Sequence, residues 1–106
     1  MSTCGVVLYR PTQIKYNMNK IYILTTIELS SDGELSFEVE KFGFGNRFKA
    51  EERGHERLAE WVEEHSYEDD NGNLIGPSIT EFPNLVEAKD RESIAEFDYL
   101  ISEFEV

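Results

Sequence analysis

Two alternating runs joined by a tight turn constrain this chain more than any other feature. From Lys20 to Ser30, Ile21, Ile23, Thr25, Ile27 and Leu29 fall on one side of an extended strand, and Tyr22, Leu24 and Thr26 on the other. That strand can therefore be covered on both sides. Ser31-Asp32-Gly33 follows, where aspartate offers a side-chain bond and glycine the positive φ of a tight turn. Glu34 to Lys41 alternates again, with Leu35, Phe37 and Val39 opposed to Glu34, Ser36, Glu38 and Glu40. The pattern predicts an antiparallel hairpin with one buried and one wet face. The isoleucine side, with Phe37 and Val39, is the expected core side.

The other segments are read against this hairpin. Cys4 to Tyr9 reads as a short strand that Pro11 ends, and Ile14, Tyr16 and Met18 alternate as an edge candidate. Gly43 and Gly45-Asn46 mark a bend. Lys49 to His65 is helical in composition, with Ala50, Leu58, Trp61 and Val62 on one stripe and Gly54 weakening its first turns. His65 is placed to cap the negative end of that helix. Tyr67 to Pro77 is a polar loop around Asp69-Asp70-Asn71-Gly72-Asn73, which suits the tip of a small hairpin. Leu85 to Ala88 is a weak strand. Asp90 suits the cap of a final helix whose core face is Ile94, Phe97, Leu100, Ile101 and Phe104. The expected fold is a single α+β domain over 1–106. It has an antiparallel sheet of three to four strands in β-β-β-α-(β)-α order, packed on one face by two helices. Its core is expected to join Ile23, Ile27, Phe37, Val39, Leu58, Trp61, Ile94, Phe97 and Ile101.

Charge limits what such a domain can bind. The 106 residues carry 22 acids against 10 lysines and arginines, a net −12. Residues 1–27 contain no acid and three bases, whereas from Glu60 onward 14 acids face only Lys89 and Arg91. Phosphate and anionic lipid would be repelled, so direct nucleic-acid or membrane binding is disfavoured. The natural complement is a basic partner. No apolar run approaches the roughly 20 residues of a membrane span, and no signal peptide is seen. With Cys4 alone there is no intramolecular disulfide, which fits a reducing, cytoplasmic setting.

The residues carry no catalytic or metal signature. A calcium loop starting at Asp69 would require glycine and glutamate where Leu74 and Thr80 stand. His55 and His65 are ten residues apart and lack the i, i+4 spacing of a zinc pair. No nucleophile motif or phosphate-binding loop is present. The expectation is therefore a protein that is not an enzyme, with no cofactor and no metal.

The signal that stands out is the spacing of the acids. Glu34, Glu38 and Glu40 share a strand face, where neighbours sit about 7 Å apart. Glu52, Glu56, Glu60 and Glu64 repeat at i+4, about 6 Å apart on a helix. Asp69 and Asp70, then Glu87, Glu92, Glu96 and Glu103, extend the acidic surface. Such rows imitate duplex phosphates in the manner of DNA mimics. The expected function is a non-enzymatic inhibitor, of the phage anti-defence or anti-CRISPR type, that occludes the basic surface of a nucleic-acid-handling protein or nuclease. The alternatives are an immunity protein or antitoxin masking a basic toxin, and an interaction subunit or homodimer, which an apolar open sheet face would favour. A small enzyme or ligand-binding domain, which a deep polar pocket would favour, is the remaining class.

Overall fold

The computed structural model describes residues 20–105. The expected strand Cys4–Tyr9 and the edge candidate around Ile14, Tyr16 and Met18 lie outside them. In chain order the elements are β1 (Lys20–Leu29), β2 (Leu35–Phe42), α1 (Arg47–Glu64), β3 (Tyr67–Glu68), β4 (Leu74–Ile75), β5 (Ser78–Phe82), β6 (Leu85–Lys89) and β7 (Glu96–Glu105). Five strands form one antiparallel sheet in the order β2-β1-β7-β6-β5, and β3 and β4 form a separate two-stranded ribbon.

The hairpin forms as its alternation requires. Gly33 adopts φ 94°, and the Gly33 amide donates to the Ser30 carbonyl at 3.0 Å. The same chemistry closes the β3–β4 ribbon, where Gly72 has φ 81° and Asp69 accepts from the amides of Asn71 and Asn73 at 2.9 Å each. Those bonds hold the Asp69 carboxyl below its ordinary pKa, the Asn73 amide contributing most.

The expected architecture is corrected in two respects. The sheet has five strands, and α1 is the single helix among the described residues. The segment expected to be a final helix is β7, the central strand, paired with β1 from Lys20↔Glu105 to Leu29↔Glu96. Its sequence carries both periods. Ile94, Phe97, Leu100, Ile101 and Phe104 match a helix, but Phe97, Tyr99 and Ile101 match a strand, and these three are the residues buried. As a helix the segment would leave β1 and β6 with unpaired backbone edges against the core; as a strand it satisfies both. Asp90 does bind the backbone, accepting from the Glu92 amide at 3.0 Å and the Ser93 hydroxyl at 2.9 Å. It thereby closes the β6–β7 connection instead of starting a helix.

The second correction concerns which face is buried. Helix α1 covers Tyr22, Leu24 and Thr26 of β1, Phe97, Tyr99 and Ile101 of β7, and Val86 and Ala88 of β6, with Ala50, Gly54, Leu58 and Trp61 facing them. The isoleucine side, expected as core, is the open face. Ile23 and Ile27 are half-buried there, while Phe37 and Val39 are 62% and 67% exposed. Ile94 is exposed in the β6–β7 connection. Leu58, Trp61, Phe97 and Ile101 are core as expected.

Close approach explains the choice. Ala50, Gly54 and Ala88 are fully or nearly fully buried small residues that let the helix backbone descend onto the large side chains of β1 and β7. A Cβ added at Gly54 would lie 2.7 and 2.8 Å from Cδ1 and Cε1 of the buried Tyr99 ring. Gly54 is thus a seat for Tyr99, not merely a weak spot in the helix. Gly54→Ala gains about 1 kcal/mol of helix propensity, but overpacking costs about 1–3 kcal/mol. The expected result is a lower melting temperature; a stabilised Gly54→Ala protein would remove this account of the packing.

Candidate functional site

Helix α1 carries its charges in the reverse of the order its dipole favours. Arg47 and Lys49 stand in its first turn, Glu63 and Glu64 in its last, with no acid at the start and no base at the end. Acids near a helix C-terminus face its partial negative charge and typically cost a few tenths of a kcal/mol each. His65 and Ser66 offer relief: His65 Nδ1 lies 2.9 Å from the Trp61 carbonyl oxygen, its ring stacked on Trp61 at 4.0 Å, and the Ser66 hydroxyl donates to the Val62 carbonyl at 2.7 Å.

The helix bases are largely committed within the chain. Arg57 pairs with Glu38, Arg53 with Glu40 at 3.3 Å and Glu56 at 3.5 Å, and Arg47 with Glu51 at 3.7 Å. The Arg53 guanidinium is held above its ordinary pKa, the Glu40 hydrogen bond contributing most. Among the described residues Glu52, Glu60, Glu63 and Glu64 form no ion pair, and all four are exposed. Beside them a notch of about 190 Å³ is lined by Glu28, Arg57, Glu60, Trp61, Glu64 and Phe97. Three carboxylates thus rim an opening with two aromatic side chains in its wall. The Trp61 indole N–H is buried and has no partner.

The other residues singled out from sequence scatter. Glu38 and Glu40 lie on the helix side of β2 and belong to the ion pairs just described. Glu34 sits beside the β1–β2 turn, its amide donating to the Ser30 hydroxyl at 2.9 Å. Asp69 and Asp70 lie in the β3–β4 turn, where Asp69 is spent on the backbone. Glu92 is exposed in the β6–β7 connection. Glu87 and Glu96 share the open face, whereas Glu103 lies on the helix side and pairs with Lys20 at 3.2 Å. The row Glu87, Glu92, Glu96 and Glu103 is therefore not one surface, while Glu52, Glu56, Glu60 and Glu64 remain together on α1.

Two groups matter that the spacing of glutamates does not single out, Glu28 and Asp98. Glu28 of β1 joins Glu60 and Glu64 at the acidic helix end. Asp98 lies on the open face, opposite Glu87 of β6 and Ile27 of β1, two residues from Glu96. Carboxylate oxygens of Glu87, Glu96 and Asp98 come within 4.8 Å of one another. The Asp98 pKa is pushed up to about 7, first by burial and then by a hydrogen bond and the charge of Glu96, with Glu87 adding and Lys89 opposing. Three carboxylates so close cannot all ionise at ordinary cost, and a proton or a cation relieves them.

A cleft of about 240 Å³ between α1 and the β5–β6 hairpin is lined by residues including Glu51, His55, Glu81 and Tyr99. The Tyr99 hydroxyl lies 3.3 Å from His55 Nε2. Burial raises the phenol above its ordinary pKa, and Glu81 and Glu51 add to this, so it stays neutral. Among the described residues neither histidine meets a serine, threonine or cysteine. No helix among them is long and apolar enough to cross a membrane. No known family, curated protein or solved structure matches the chain.

Proposed function

We propose that the chain is a non-enzymatic binding protein whose acidic helix end occupies a basic, nucleic-acid-handling surface of another protein and denies that surface to nucleic acid. The observation that carries this reading is the reversed charge order of α1, with Glu60, Glu63 and Glu64 unpaired at its C-terminal end. Stability of the lone chain does not ask for that order; a basic partner would relieve it. The notch beside it suits an arginine or lysine side chain. Its charged head would sit among Glu28, Glu60 and Glu64, which outnumber the one cation of the lining, Arg57.

The test is a competition experiment with the partner recovered by pull-down. The protein should displace a DNA duplex or RNA from that partner, and less well as salt rises, because exposed charges are screened over about 8–10 Å at physiological ionic strength. Glu60→Lys with Glu64→Lys should slow association about tenfold while leaving dissociation less affected. Simultaneous binding of the protein and nucleic acid, with affinity flat across salt, would defeat the proposal. A second reading, an interaction subunit, is favoured by a separate observation: the open face of the sheet is largely apolar along β1 and β2, with Phe37 and Val39 exposed.

A further inference from the structure

The rows of the open face follow from the strand register. One row runs Val39–Thr25–Leu100–Leu85–Phe82 across all five strands, and the next runs Phe37–Ile27–Asp98–Glu87–Thr80. Phe104 stands opposite Ile21 and Leu35 opposite Leu29, extending the apolar area toward both ends of β1. Phe37, Val39, Phe82 and Phe104 are each about half or more exposed. The acids of this face are Glu87, Glu96 and Asp98, grouped with Lys89 toward one end of β7 and β6. Among the described residues a helix covers one side of the sheet and no element covers the apolar rows on the other.

We propose that a second copy of this chain supplies that layer, the two sheets packing face to face as a homodimer. Size supports this occupant. The five strands contain 38 residues. At about 4.8 Å by 3.3 Å per residue, the face measures roughly 600 Å² seen flat. Pleat and side-chain relief bring it toward the roughly 800 Å² that each partner contributes to a standard interface. Shape supports it too, because identical sheets share one twist and pack about 10 Å apart with interleaved side chains. Charge supports it as well: two chains of net −12 repel, and the apolar rows are where they meet with the fewest acids in contact. The acids lie toward one end of β7 and β6, away from Val39, Leu100 and Phe104. Each acidic helix then lies on an outer surface of the dimer.

The experiment is analytical ultracentrifugation of the full chain across concentration and salt. The wild type should reach twice 12.3 kDa at tens of micromolar. Raising salt from about 0.1 M to about 0.5 M should tighten the dimer, because it screens like charges. Binding to a basic partner should weaken under the same change, so the two proposals fail separately. Phe37→Glu and Val39→Lys, at positions already exposed in the protomer, should keep their circular dichroism spectra and weaken dimerisation at least tenfold. Glu60→Lys on the opposite side should not weaken it. A wild type still at 12.3 kDa at the highest concentration overturns the proposal without recourse to any variant. If the open-face strands of that monomer are nevertheless protected from solvent, the chain's own residues 1–19 take the second copy's place. Variants that dimerise as tightly as the wild type would move the interface elsewhere.

Discussion

Trp61→Ala is expected to destabilise the protein by about 3–5 kcal/mol, the usual cost of truncating a large buried aromatic. Trp61 is 3% exposed, stacks on Phe97 at 6.1 Å between centroids, and lies in the last turns of α1, the single helix among the described residues. Its removal opens a cavity between α1 and the sheet that small neighbours such as Ala88 and Ala95 cannot fill. Trp61→Phe separates packing from polarity. The indole N–H is buried without a partner, and relieving it returns about 1–3 kcal/mol, offsetting much of the lost area. Phenylalanine should therefore cost far less than alanine. Chemical denaturation of the three proteins decides the matter. A Trp61→Ala loss under about 1 kcal/mol, or a solvent-exposed emission maximum in the native wild type, would place Trp61 outside the core.

The β1–β2 hairpin is legible in the sequence because alternation and an Asp-Gly turn point the same way. Which face the helix covers is not. Both sides of β1 are apolar enough to be buried, and the isoleucine side carries more branched side chains. The decision lies in α1, where Gly54 makes room for the Tyr99 ring and Ala50 is fully buried. That complementarity exists only after the elements are brought together. Residues 94–104 mislead for a different reason: they satisfy two periods at once, and the unpaired edges of β1 and β6 select the strand.

The candidate site is legible in the same uneven way. Glu52, Glu56, Glu60 and Glu64 remain one array because their segment is helical, and a four-residue spacing on a helix is a surface. The later acids are dispersed because their segment is extended. Glu96 and Glu103 differ by an odd number of positions along β7, which puts them on opposite faces of the sheet. Glu38 and Glu40 are adjacent in pattern to Arg53 and Arg57 only through the docking of α1 on β2. The apolar open face follows from the misassigned core: residues chosen for burial on their hydrophobicity are the ones the helix leaves uncovered.

Asp98→Asn is expected to raise stability above neutral pH by about 2 kcal/mol and to remove the pH step that burial and Glu96 impose on this carboxyl. The Asp98 pKa rises from an ordinary 3.8 to about 7 on folding, chiefly through burial and then through Glu96 and Glu87. Below about pH 4 the group is protonated in both states and contributes no difference. Between about pH 4 and 7 the unfolded chain has released the proton and the folded chain keeps it, so each rise in pH favours unfolding. Above about pH 7 the penalty is complete and constant. Taken whole, a shift of this size corresponds to about 4 kcal/mol; partial solvent access screens the carboxylate, and about half is a fair expectation. Asparagine matches the shape, carries no charge, and places a polar atom where Asp98 Oδ1 is buried without a partner. Asp69 acts in the opposite sense, because its pKa is lowered on folding, so the informative quantity is the difference between variant and wild type. Denaturation of both proteins at about pH 4, 6 and 8 measures it. The difference should grow across that range and level off past neutrality. A difference that stays flat from acid to alkaline conditions would mean that Asp98 is ionised at no cost, and that the Glu87, Glu96 and Asp98 corner does not hold a proton.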